Sequence, residues 1–201
     1  MRRIRWTTVV GAVATAALAT AALAVPAGAS DEKIPINDTV NAQTTLKTLQ
    51  QTVTVPPGTF KGSIDDVTGV LTGKLKLPNA STTLSLVGIG LVTATFHIAP
   101  TKPVRGTLGA GLVLHAKSVF NIDVRSVTPL GTQLNLVGSK CATSKPVTLK
   151  ISGVTDPLGT STYSGTYTIP PLANCGLITA ALNLVVPGSG NTFTATFKAA
   201  G

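Results

Sequence analysis

Acidic residues are scarce in this chain of 201 residues: there are seven, and only Glu32 is a glutamate. Coiled coils need repeated Glu, Lys and Leu heptads, so that class is excluded. Charged residues of both signs reach only 11%, against 43% hydrophobic ones. A disordered chain has the opposite balance. Aromatics are 4%, and the one tryptophan, Trp6, lies near the N-terminus. Sugar-binding platforms built on exposed tryptophan are therefore missing from the rest of the chain. With Cys141 and Cys175 expected to be oxidised to each other, the two histidines that remain are too few for a zinc site. No Gly-x-Ser-x-Gly elbow occurs, because Gly188-Ser189-Gly190 is one residue too tight. No Gly-rich phosphate loop precedes a helix either.

What is plentiful is threonine (32), glycine (20) and proline (13). Short β-like runs alternate with turn chemistry. Thr52-Val53-Thr54-Val55 alternates and Pro56-Pro57-Gly58 stops it. Gly73 to Leu77 alternates and Pro78-Asn79 turns. Val92, Ala94, Phe96 and Ile98 share one face; Phe120, Ile122 and Val124 share another. Leu134 with Leu136, Val147 to Ile151, Tyr163 to Ile169, Leu182 to Val186, and Phe193 to Phe197 extend the series. Period-two patterning rich in Thr and Val is the strand signature. The best helix candidate is Val40 to Gln51, which also reads as a first strand. The expectation is an all-β fold: a single antiparallel β-sandwich, immunoglobulin-like or related, with about ten short strands.

Residues 1–29 read as a removable secretory signal. Arg2, Arg3 and Arg5 are followed by an apolar run over Val9 to Val25 and by Ala27-Gly28-Ala29. Sec export is the plainer choice over a twin-arginine route, and the expected location is secreted and extracellular, with cell-wall association as an option. Residues 30–49 are expected to be a flexible or partly ordered segment, and residues 50–201 the sandwich domain. Removing the leader leaves 172 residues with 13 basic and 7 acidic side chains, net +6. No later stretch has the length of a membrane span. In an oxidising compartment Cys141 and Cys175 are expected to form one disulfide.

Gly165 to Leu172, Asn174-Cys175-Gly176-Leu177, Leu182 to Gly188 and Gly190-Asn191-Thr192 form a set with Cys141, Pro146-Val147 and Val53 to Thr59. Together they resemble small secreted β-rich proteins of unknown function from Streptomyces and related actinobacteria. The resemblance implies a compartment and a fold, and no activity.

Candidate chemistry is thin. His97 and His115 fall on polar strand faces, and Asp65, Asp66, Asp123 and Asp156 complete the acids available for a hydrolase set. Asp65-Asp66 sits in a turn before Val67-Thr68-Gly69, where adjacent carboxylates point apart. Tyr163 and Tyr167 share a face and read as core or rim residues. No catalytic residue, metal ligand or cofactor is assigned. The positive charge admits anionic cell-envelope polymers, or another protein, as partners, without specific nucleic-acid binding. Dense apolar runs around Leu84 to Val92 and Leu182 to Val186 admit a lipid-holding interior instead. The expectation is a non-catalytic exported protein acting through envelope or extracellular contacts, with a hydrophobic-ligand carrier as the alternative and an unrecognised hydrolase behind it.

Overall fold

The computed structural model describes residues 32–200. The expected leader over residues 1–29, with Trp6, lies outside the described residues. Twelve strands form: β1 (Lys33–Leu46), β2 (Gln51–Asp65), β3 (Val70–Lys76), β4 (Ala80–Leu86), β5 (Gly90–Pro100), β6 (Val104–Leu108), β7 (Val113–Pro129), β8 (Ala142–Thr143), β9 (Val147–Val154), β10 (Thr160–Ile169), β11 (Leu172–Ala173) and β12 (Gly188–Ala199). One short helix, α1 (Thr179–Val185), precedes β12.

Eight of these strands close on themselves. Hydrogen-bonded neighbours run β1-β2-β3-β6-β7-β9-β10-β12 and return to β1, each pair antiparallel. The fold is a closed antiparallel barrel and not the expected sandwich. Alternation shows that one face of each strand is buried, but it does not say whether two sheets face each other or one sheet curls round. Strands of 14, 15 and 17 residues (β1, β2 and β7) are also longer than the short runs read from the sequence.

β7 belongs to two sheets. Its first half, Val113 to Phe120, pairs with β6 and β9 in the barrel wall. Its second half pairs with β5 on one side and touches β8 on the other. β4, β5, the end of β7, β8 and β11 therefore extend the wall beyond one end of the barrel. The disulfide between Cys141 and Cys175 staples the β8–β11 pair, with Cα atoms 4.3 Å apart and both cysteines buried.

Three local expectations change. Residues 33–46, inside the expected lead-in and overlapping the helix candidate, form β1. Pro56-Pro57 does not stop β2. The pairing shifts from Val40 opposite Gly58 to Ala42 opposite Val55, a bulge that absorbs the two prolines. The inward set moves accordingly from Val53 and Val55 to Gly58 and Phe60. Leu182 to Val186, read as a strand, lies in α1 and its cap, with Leu182 fully buried. A short apolar run carries no period that separates the two states. Leu134 and Leu136 lie in an irregular segment rather than a strand.

Inward residues are apolar almost throughout: Val40, Ala42, Leu71, Val104, Leu114, Ala116, Leu149, Tyr163, Phe193 and Ala195 are all buried. Outward positions are mostly polar, with Thr, Ser and Lys the commonest and Asn41, Gln43, Arg105 and His115 among the rest. This is the inverse of a lipid-facing barrel. No helix of the described residues is long and apolar enough to cross a membrane.

Candidate functional site

Strand order fixes what each end of the barrel contains. At one end lie the start of β1, the β2–β3, β6–β7 and β9–β10 turns, and the end of β12. This end is the mouth. A cavity of about 520 Å³ opens there, within the size range of small-molecule sites. Every barrel strand contributes to its wall, including Ile36 of β1, Ile64 of β2, Leu71 of β3, Leu108 of β6, Leu114 of β7, Ile151 of β9, Tyr163 of β10 and Phe197 of β12. At the other end a second cavity of only about 70 Å³ remains, closed in part by Val186 after α1. Leu75, Ser118, Leu149 and Phe193 line both cavities and form the waist between them.

All seven aromatic side chains of the described residues line one of these two spaces. Phe197 packs edge-on against Phe60 at 5.8 Å and against Tyr163 at 5.3 Å. Such edge-to-face contacts hold rings in fixed orientations. Gly73 makes room for this wall, since a Cβ there would collide with the Phe60 ring. Tyr167 lies in the smaller space, bonded to Thr44 Oγ1 at 2.6 Å, and burial pushes its hydroxyl pKa up.

Polar groups cluster on one wall of the mouth. Asp38 occupies an inward position of β1, between Ile36 and Val40, and lines the large cavity. Burial holds its carboxyl pKa above the ordinary value. Tyr163 Oη shares a hydrogen bond with Thr155 Oγ1 at 2.9 Å, and Ser161 Oγ accepts one from the Asp156 amide. Deeper in, the Ser118 hydroxyl sits at the waist in an otherwise apolar ring. Exposed apolar side chains stand at the mouth end: Leu112, which lines the cavity, Val67 and Leu158 in the turns, and Val70 and Val154 on the outward faces of β3 and β9.

The residues named for hydrolysis do not converge. His97 bonds Asn79 through Nδ1 at 3.0 Å on the outer face of β5. Asp123 stands directly opposite it but is engaged by Arg125 at 3.1 Å. His115 lies on the outer wall between Thr107 and Ser152. Asp65 Oδ1 accepts bonds from the Thr68 amide and hydroxyl, which hold its carboxyl pKa below the usual value. Asp156 lines the mouth, whereas His115, four residues along the β7–β9 ladder, faces outward and does not line the cavity. No cluster of three metal-ligating side chains occurs among the described residues. Asp38 and Ser118 had no motif to announce them; only their inward parity on an apolar face could have marked them.

Compared with known proteins, the chain matches no family model, no curated protein and no solved structure.

Proposed function

We propose that this protein is a non-catalytic, exported carrier that holds an apolar or amphiphilic small molecule in its barrel. The observation that carries this reading is the lumen of about 520 Å³ walled by side chains from all eight strands. A ligand entering it removes apolar surface from water on both partners, at roughly 25 cal/mol per Å². The exposed Leu112, which lines the cavity, gives an apolar body its first contact at the rim. Asp38 and the Tyr163–Thr155 pair, on one wall of the mouth, suit the polar end of an amphiphile, while the opposite wall of β3, β6 and β7 is apolar.

The test is uptake of an apolar naphthylamine dye by the purified protein. Dye fluorescence should rise with saturation, and Ala116→Trp, which places an indole in the lumen, should abolish the rise while leaving the protein folded. Equal uptake by both proteins, or none by either, removes the carrier reading.

A further inference from the structure

The outer wall carries a second feature that the lumen does not explain. Thirteen basic residues are dispersed along residues 30–201, yet strand register gathers five of them across adjacent strands, with Lys76 adjoining Lys74 on the same face of β3. Lys61 of β2 stands directly opposite Lys74 of β3. Arg105 of β6 stands opposite Lys117 of β7, and Lys117 opposite Lys150 of β9. Thr72, two residues from Lys74, is the partner of Arg105, so the two sets are diagonal neighbours in one belt. All five side chains are exposed.

Directly opposed side chains lie about 4.5–5.5 Å apart, and like charges there are destabilising. No acid relieves them. Of the six acidic residues described, Glu32, Asp38, Asp65, Asp66 and Asp156 lie at the mouth end and Asp123 is paired with Arg125. The belt is therefore an unneutralised strip maintained against its own repulsion. Such a strip lowers the free energy of a bound anion.

The shape of the strip selects the anion. It crosses β2, β3, β6, β7 and β9, five successive strands of eight. At about 45° per strand of a closed eight-stranded barrel, it wraps roughly half the circumference. A flat anionic bilayer cannot touch both ends of such an arc, whereas a flexible chain can follow it. Nucleic-acid single strands are held by bases stacked on aromatic side chains. Here every described Phe and Tyr lines the interior, and around the belt the wall offers Thr, Ser, Lys and Arg with the single small ring of His115. We infer that this outer wall is a docking surface for a flexible, base-free linear polyanion of the polyphosphate or phosphodiester class. The contact is independent of whatever occupies the lumen.

The test is binding of long-chain inorganic polyphosphate to the purified protein across a salt series. If five phosphates are neutralised, the logarithm of affinity should fall against the logarithm of salt with a slope near −3.5. That is about a hundredfold loss between 50 and 200 mM salt. Arg105→Gln/Lys117→Gln/Lys150→Gln should leave a slope near −1.4, about a sevenfold loss over the same range, and should raise the melting temperature by relieving repulsion. Lys47→Gln/Lys140→Gln/Lys198→Gln removes the same charge away from the belt and should leave the slope close to the parent's. Equal weakening by the two triple variants would reduce the effect to net charge and overturn the proposal. So would absence of binding at low salt, tighter binding to oligothymidylate of matched charge, or belt-dependent binding to anionic phospholipid vesicles that exceeds binding to polyphosphate.

Discussion

The same eight strands build both ends of the barrel, yet one end is filled and the other is hollow. At the far end the core is nearly filled, with only the cavity of about 70 Å³ left: α1, the β8–β11 staple and the bulged strands bring Leu182, Val186, Cys141, Cys175, Val92 and Val127 to within 2% of full burial. At the mouth the inward residues are as apolar, but Leu108, Ile151 and Phe197 are only half-buried and frame open space. The lesson is that inward apolar parity makes a wall and leaves open what the wall encloses. The far end receives a helix and a second sheet to fill it. The mouth receives only turns, and several of those turns carry exposed apolar side chains.

Damage at the two ends should therefore differ in kind. The largest effect belongs to the staple. Replacing both Cys141 and Cys175 by serine frees a loop of 34 residues and should cost about 3–4 kcal/mol in denaturant unfolding. Next comes Leu182→Ala, which empties a fully buried site and should cost roughly 2–5 kcal/mol. The matched truncation at the mouth, Leu108→Ala, removes contacts beside an existing cavity, and its cost should fall below that range. Enlargement should reverse the order of tolerance. Ala94→Phe overpacks the filled region and should cost about 1–3 kcal/mol, whereas Ala116→Phe grows into the lumen and should change stability by less. Equal penalties at Ala94 and Ala116 would show that the mouth is not hollow in solution.

The smallest effect is a titration. Asp38 has its pKa raised by burial, so the folded protein binds a proton more tightly there than the unfolded chain does. The penalty is absent below the ordinary carboxylate value and grows as pH rises through the raised one. Asp38→Asn should therefore flatten that part of the stability–pH curve and raise the melting temperature slightly at neutral pH. Asp65 has the opposite sign. Its lowered pKa gives stability that is present above the usual carboxylate range and lost as pH falls through the lowered value.

Much of the wall was legible one strand at a time. The alternations at Val92 to Ile98 and Phe120 to Val124, the pairing of Cys141 with Cys175, and the turn at Asp65-Asp66 all follow from nearest-neighbour chemistry. Closure was not legible, because it depends on which strands meet. Nothing in the residues of β1 states that Val40 will lie opposite Phe197. The same holds for the basic belt: Arg105, Lys117 and Lys150 are far apart in the chain and adjacent only through register. Asp38 falls within residues 30–49, where the sequence leads to the expectation of a flexible or partly ordered segment. Its inward position emerges only once Ile34, Ile36 and Val40 are seen to share its face.

The pairing of β12 with both β1 and β10 also sets a timetable. Asp38 meets Ala199, so the ring is completed only when β12, the last of the described strands, pairs with the first. Until Phe193 to Ala199 are available, β1 and β10 are both open edges that can recruit strands from other chains. Contacts of such long sequence separation place folding in the slow, millisecond-to-second class. Loss of β12 would leave a seven-stranded sheet with two sticky borders, prone to self-association rather than to forming a smaller barrel.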